Sequence, residues 1–337
     1  MMQIKTSIPS ALDLIRVPGQ LTLGIELPLD NDWSVVAEQH SEERYRPHGV
    51  PDLSRQEELV RQVDASGFAA IWMRDVPVFD PHGFGDAGSV YDPFVNLGFL
   101  AGITRHVALG TAAVVLPLRH PLLVAKAAAS ADVLSKGRLI LGVATGDRPV
   151  EFPLLGIDFK NRGDIFRSNV GEIRRIWRDD NLDLAGIPTT TDLQVLPKPW
   201  NQDIPMVIAG QGRQTAEWIA LNMNGRFVYP KGAEVLASEI SSWRALRSMA
   251  KLDQGVFISA FHLDLDENPD CEAIPHRFGA RIGRHKLIEE LRHFQSIGVD
   301  HLVLHLRHSR RPLDEVLDEL ARDVVPYMTR EYMALRR

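Results

Sequence analysis

The sequence predicts an α/β protein, a (β/α)8 TIM-type barrel with loop insertions at its C-terminal face. Two observations carry that prediction. Short β-rich runs alternate with amphipathic helical stretches from end to end, the pattern of a parallel sheet built from βα units. The strand runs number eight, the count that closes a barrel rather than leaving an open doubly wound sheet. A chain of 337 residues with 45% hydrophobic content can bury a large core, and barrels with insertions routinely exceed about 250 residues. One domain over 1–337 is therefore expected, with residues 1–20 as an N-terminal extension and 180–203 as an excursion.

Each element has a local reason. Leu21 to Pro28 is the first strand, and Pro28 stops the ladder because it has no N–H to donate. A polar stretch to Pro51 follows, then a helix whose N-cap is Asp52 or Ser54 and whose apolar side is Leu59, Val63 and Phe68. Ala69 to Met73 is the second strand. A helix over Pro93 to Ile103, capped by Asp92, leads into Val107 to Leu116, an apolar run without polar alternation, as befits a strand covered on both faces. Pro121 suits the first turn of the next helix, which Lys136 and Gly137 end before the strand Arg138 to Ala144. The later units are helix 164–177, strand 205–209, helix 212–223, strand 226–229, helix 233–250, strand 256–262, helix 285–297, strand 301–306 and a C-terminal helix.

Composition narrows the function. The net charge of −6 is spread along the chain and no basic stripe is visible, which argues against nucleic acid as partner. Cys271 is the single cysteine, so an internal disulfide and a thiolate metal cage are excluded, and no metal is expected. The first twenty residues lack the apolar core of a signal peptide, and no apolar run is long enough to span a bilayer. A cytoplasmic protein without a membrane partner is the expectation.

In a barrel the chemistry sits at strand ends and in the loops after them. The Gly210-Gln211-Gly212-Arg213-Gln214-Thr215 segment joins a strand to a helix, where free N–H groups, the Thr215 hydroxyl and Arg213 can converge on an anion. Many βα loops are Gly-rich simply to turn, which is the alternative reading of this segment. The stretch from Leu109 to Gly156, by physics alone, is a well-packed βαβ unit ending in a Gly-containing loop.

Its ordered blocks carry more. GTAAVVLP (Gly110 to Pro117), Arg119-His120-Pro121, DVLSKGR (Asp132 to Arg138) and Glu151-Phe152 with Gly156 resemble the flavin-binding half of the bacterial-luciferase-like family of flavin-dependent oxidoreductases. The likeness extends to GFAAIWMRD (Gly67 to Asp75), DPF (Asp92 to Phe94) and PMVIAGQGRQTAEWIA (Pro205 to Ala220). The resemblance implies FMN, reduced by a separate flavin reductase, reacting with O₂ so that one oxygen atom passes to a small organic substrate. It also implies a cis peptide at Ala112-Ala113 beneath the flavin ring, where the alternative is an ordinary strand with two closely packed alanines. The phosphate would be held by Gly210, Gln211, Gly212, Arg213 and Thr215, and by Thr145, Gly146 and Arg162 after the fourth strand. Some relatives carry an arginine where Thr145 stands, so Arg162 or Arg148 would supply that charge. Glu151-Phe152 would lie over the flavin.

Catalytic candidates are fewer. Many relatives end the second strand with an acid and a histidine, whereas Val76 follows Arg74 and Asp75 here. Arg74 and Asp75 could orient the substrate or form a mutual ion pair. Asp30, Trp33, His48 and His82 lie in loops over the mouth, and His262 and His305 end later strands. A hydride-transfer enzyme using F420 is the rival in chemistry, although no dense basic cluster is visible for its polyglutamate tail. A flavin-binding protein with little turnover is a second rival, and a hydrolase or lyase using Glu26, Asp75 and Asp264 a third. A homodimer is implied by the family, through the helices 93–103 and 122–134.

Overall fold

The computed structural model of the chain describes residues 10–35, 49–83, 86–180 and 193–328. His48 and half of the 180–203 excursion, residues 181–192, fall outside these residues. The barrel strands are β1 (Thr22–Glu26), β2 (Ala70–Met73), β3 (Ala108–Thr111) continued by β4 (Val114–Val115), β5 (Leu139–Ala144), β6 (Met206–Ala209), β7 (Gly225–Val228) and β8 (Val256–Leu265). A hairpin of β9 (Ile274–His276) and β10 (Gly279–Ile282) then precedes the last barrel strand, β11 (His301–His305). Neighbours pair in parallel in this order, and the β8–β11 and β11–β1 pairings close the ring. The expected (β/α)8 barrel is thus the observed fold. Helices α1 (Ala11–Ile15), α2 (Gln56–Ala65), α3 (Pro93–Ile103), α4 (Pro121–Ser135), the short α5 (Glu151–Leu154) and α6 (Arg162–Arg178) belong to the first half. The second half adds α7 (Ala216–Asn222), α8 (Ala233–Met249), α9 (Arg284–Ile297), α10 (Leu313–Asp323) and α11 (Val325–Met328).

Strand alternation divides the apolar residues between two cores. One set, including Ile25, Ile71, Leu109, Leu141, Ile208 and Leu304, packs with the helices. The other, including Ala70, Trp72, Ala108, Ile140, Val207, Phe227, Ile258 and Val303, fills the barrel, and Ala11 and Ile15 of α1 join it. Trp72 is the bulk of that filling and stands edge-on to Phe227 at 5.2 Å. Gly110 makes room for it, because a Cβ there would lie 2.3 Å from Trp72 Cε3.

A buried histidine locks the same layer. Trp72 Nε1 donates to His301 Nε2 at 3.0 Å, and His301 Nδ1 stands 2.7 Å from Thr22 Oγ1, which in turn donates to the Ile15 carbonyl. Burial pushes the His301 pKa down to about 3, so the ring is neutral and its Nδ1–H faces Thr22. His301→Phe should therefore lower stability by about 2–4 kcal/mol in urea unfolding, because it leaves the Trp72 N–H unpaired in the core.

Several sequence expectations need correction. The third strand is not continuous over 107–116 but breaks between β3 and β4. Neither Asp52 nor Ser54 caps α2, whose N-cap is Arg55; the Asp52 carboxylate instead takes the Ser54 N–H at 2.9 Å. The helix expected from Gly212 begins at Ala216, because Gly212 and Arg213 take positive φ angles of 54° and 53° that no right-handed helix admits. Within the expected N-terminal extension, α1 is part of the barrel's filling. Five residues are too few for a periodic signal, though Ser10 and Asp13 form a capping box. The β9–β10 hairpin was not foreseen either.

Candidate active site

The bulge between β3 and β4 forms one wall. Four steps from Gly110 to Val114 are matched on β5 by three, from Ile140 to Val143, so one residue is extra. The Ala112–Ala113 peptide within it is cis, the geometry that the resemblance implies. Gly142 of β5 is required beside it, because a Cβ there would stand 1.6 Å from the Thr111 carbonyl oxygen. Asn169 of α6 holds the outgoing chain by donating to the Leu116 carbonyl at 2.9 Å.

Beside the bulge lies a corner rich in positive charge. Arg162 donates to the carbonyls of Gly146 at 3.1 Å and Phe159 at 2.7 Å and stacks 3.6 Å over the Phe159 ring. Arg213 lies against Gly163, where an added Cβ would meet its Cβ at 3.1 Å. Partial burial and the charge of Arg213 both hold the Arg162 pKa below the usual arginine value, with Asp147 acting the other way. Neither guanidinium has a carboxylate in ion-pair contact among the described residues. The loop itself is rigid: Gln214 donates to the Gly163 and Gly212 carbonyls and accepts from Arg167 Nε, each at 2.9–3.0 Å. Thr215 caps α7 by accepting the Trp218 N–H at 3.2 Å. Gly212 is fixed by packing, since a Cβ would come within 2.6 Å of Ile208 Cδ1, whereas Gly210 opens onto free space. A phosphate dianion fits this corner, because it would neutralise two cations that otherwise repel.

Across the mouth runs a ladder of alternating charge. Arg307, fully buried just past β11, donates to Asp32 through Nε at 2.8 Å and a second nitrogen, to Asp86 at 2.7 Å and to the Gly49 carbonyl at 3.0 Å, while its guanidinium lies 3.9 Å from the Trp33 ring. Asp86 also binds Arg74, whose Nε stands 3.5 Å from Glu26 Oε1 at the end of β1 and whose third nitrogen reaches Tyr229 Oη at 3.5 Å. The ladder ties the loops after β1 and β2 to the end of β11.

Burial pushes the Glu26 pKa up to about 7, with Arg74 opposing and Asp86 adding to the rise. Glu26 therefore exchanges a proton near neutral pH. Between pH 4.5, where the unfolded glutamate ionises, and pH 7 the native state binds more protons than the unfolded one, so stability falls as pH rises through that window. Glu26→Gln should gain on the wild type by about 3 kcal/mol from pH 4.5 to 7. Denaturation at both pH values checks it; equal differences at the two would show an ordinary carboxylate.

The sequence candidates divide accordingly. Ala112, Ala113, Thr145, Gly146 and Arg162 lie at the bulge and the loop after β5, with Gly210, Gln211, Gly212, Arg213 and Thr215 after β6. Arg74 faces the mouth. Asp75 does not: it is turned outward by strand alternation, bound bidentate by Arg119 at 2.8 and 2.9 Å and by the Val115 N–H at 3.1 Å, so it braces the bulge, and no Arg74–Asp75 ion pair forms. Arg148 is spent on the Val78 and Asp86 carbonyls and lies 3.4 Å from Glu151, which leaves Arg162 as the cation of that loop. Phe152 is no flavin-facing wall but is fully buried with Val115 and Leu118. Asp92 caps α3 as expected and also meets Arg119. Sequence reading missed Arg307, Asp32 and Asp86. A signal existed: in HLVLHLR the polar His301, His305 and Arg307 recur at even spacing in an apolar strand.

Comparison with known proteins agrees with this architecture. The family model described as luciferase-like monooxygenase matches residues 30–312. The chain is 32% identical over 171 residues to the oxygenase component of the flavin-dependent trigonelline monooxygenase of Acinetobacter baylyi, covering 49% of this chain and 45% of that one. It is 28% identical over 188 residues to an alkanal monooxygenase alpha chain of the Kryptophanaron alfredi symbiont, covering 52% and 49%. The matches thus span under half the length of these relatives. Among solved structures, monooxygenase RslO1 from Streptomyces bottropensis superposes with a TM-score of 0.71 at 19% identity, over 92% of this chain and 100% of that one. An F420-dependent secondary alcohol dehydrogenase in complex with an F420-acetone adduct gives 0.70 at 17% identity, over 92% and 99%.

Proposed function

This chain belongs to the luciferase-like monooxygenase family, and on that premise we propose that it is the oxygenase component of a two-component monooxygenase that takes reduced FMN from a flavin reductase and oxygenates a small organic substrate. The observation that carries the reading is the pair Arg162 and Arg213, two guanidiniums that follow the neighbouring strands β5 and β6, neither in ion-pair contact with a carboxylate among the described residues. They would bind the phosphate, with Gly146, Gly210 and the Thr215 hydroxyl beside them, and the flavin ring would rest on Ala112 and Ala113. The bound cofactor supplies the electrons and the reaction with O₂.

The protein's share is positioning and exclusion of water. Arg307 and Asp86 hold the loops after β1 and β2 over the mouth, and Arg74 presents nitrogens toward Glu26 and Tyr229. Glu26 can hold a proton at its carboxyl group near pH 7 and release it above. Among the described residues no helix is long and apolar enough to cross a membrane. Exposed Val95 and Phe99 of α3 and Leu123 of α4 offer an apolar face for a homodimer.

The test is anaerobic titration with reduced FMN and reduced F420, followed by O₂ uptake across a substrate panel. The reading requires FMN binding at micromolar concentration and substrate-dependent uptake. Preference for F420 would favour hydride transfer, and FMN binding with uptake indifferent to every substrate would favour a binding protein with little turnover.

A further inference from the structure

Strand order places β8 and β11 opposite β3 and β5 in the ring, so the wall facing the bulge across the mouth is built by His262 and His305. The two imidazoles stack, with centroids 4.1 Å apart and planes 14° from parallel. Both are buried, yet neither ring nitrogen of His305, nor Nδ1 of His262, has a hydrogen-bond partner among the described residues. His301, two turns of the strand pleat lower, is equally buried and has a partner on each nitrogen. A buried polar group without a partner is costly, so an unspent pair at the mouth points to a ligand.

The surroundings restrict that ligand. Trp33 lies 5.0 Å from His305, Phe278 lies 5.5 Å from His262, and Tyr229 stacks on Phe278 at 4.6 Å, so the approach is walled by aromatic rings. Burial and nearby cations keep both imidazoles neutral, so His305 offers one donor and one acceptor. The arginines whose charge reaches the two imidazoles are already paired, Arg74 with Asp86 and Arg307 with Asp32 and Asp86, as is Arg310 with Asp264, whereas Arg277 lies over the Phe278 ring at 4.8 Å; among the described residues no unpaired guanidinium acts on the histidines. Among the described residues no group of three or more His, Cys, Asp or Glu side chains could hold a metal ion.

We infer that the substrate is a neutral, planar aromatic molecule bearing a hydroxyl group, seated between Trp33, Tyr229 and Phe278 with that hydroxyl hydrogen-bonded to the His262–His305 pair. This rests on the proposed oxygenase reading for the word substrate; the binding site itself does not. A hydrocarbon of the same shape would leave the imidazoles unpaired, and a carboxylate bound to them would lie against neutral rings and arginines that are already paired.

The experiment compares 2-naphthol, 2-methylnaphthalene and 2-naphthoate by calorimetry on the full chain, with histidine ring ¹⁵N shifts recorded alongside. 2-Naphthol should bind at least about tenfold more tightly than either analogue and should move the His305 and His262 ring nitrogens, identified by their loss in the variants. His305→Phe should abolish the preference while leaving Tm unchanged or raised, since an apolar ring replaces a group with nothing to pair with. Equal binding of the three probes, tightest binding of 2-naphthoate, or a preference that survives in both His305→Phe and His262→Phe overturns the inference. The wild-type ranking stands without any variant. FMN affinity, measured on the same samples, separates the two readings: 2-naphthol binding without FMN binding would remove the cofactor assignment alone.

Discussion

Replacing Arg307 with methionine is expected to cost about 3–5 kcal/mol of stability, the range for removing one member of a buried charge network. The guanidinium is fully buried and pairs with both Asp32 and Asp86, so its loss strands the buried Asp32 carboxylate and leaves Asp86 with Arg74 as its remaining cation. Methionine keeps much of the apolar stem, so the effect reports the charge rather than the volume. The damage should be local as well as global, because Arg307 joins residues 32 and 49 of one loop to residue 86 of another. Hydrogen exchange should rise first in those loops. Adding Asp32→Asn to Arg307→Met should recover part of the loss, since the stranded charge is gone, while Asp86 keeps Arg74. A cost below about 1 kcal/mol, the level of a surface pair, would mean that the ladder does not hold the mouth together.

The second large effect concerns the cofactor corner. Arg162→Met combined with Arg213→Met should weaken FMN by about 100-fold or more, because each arginine would contribute a charge-assisted hydrogen bond of roughly 1.5–3 kcal/mol to the phosphate. Riboflavin, which lacks the phosphate, should bind wild type and variant alike. That control separates loss of an anion partner from collapse of the pocket. The affinity for FMN should also fall with added salt in the wild type and much less in the variant, as expected when an exposed charge pair is screened. An equal loss for both flavins would assign the two arginines a structural role.

The fold was legible because its signals are repeated and local: the eight barrel strands and most helix starts could be read from apolar period, Pro93 and Pro121 at first turns, and the Lys136-Gly137 stop. What escaped depended on contacts distant in sequence. The choice between Arg148 and Arg162 is decided by the Val78 and Asp86 carbonyls, 70 and 62 residues from Arg148, and no spacing rule reports that. Asp75 looked like a strand-end acid of the mouth, but the parity of β2 sends Arg74 inward and Asp75 out, which the sequence GFAAIWMRD already implied once Trp72 was placed inside the barrel. The Arg307 ladder joins residues more than two hundred positions apart and was invisible except as polar residues at even spacing in the last strand. The difference between His301 and His305, one paired and one unspent, is likewise a matter of what stands opposite each ring.

The central claim is that FMN is held by its phosphate between Arg162 and Arg213 with its ring on the bulge. A crystal structure of the protein with FMN tests it most directly. The account predicts the phosphate oxygens within hydrogen-bond distance of both guanidiniums and the flavin ring against Ala112 and Ala113, with His262 and His305 facing it across the mouth. A phosphate bound elsewhere, or a ring lying away from the bulge, would contradict it.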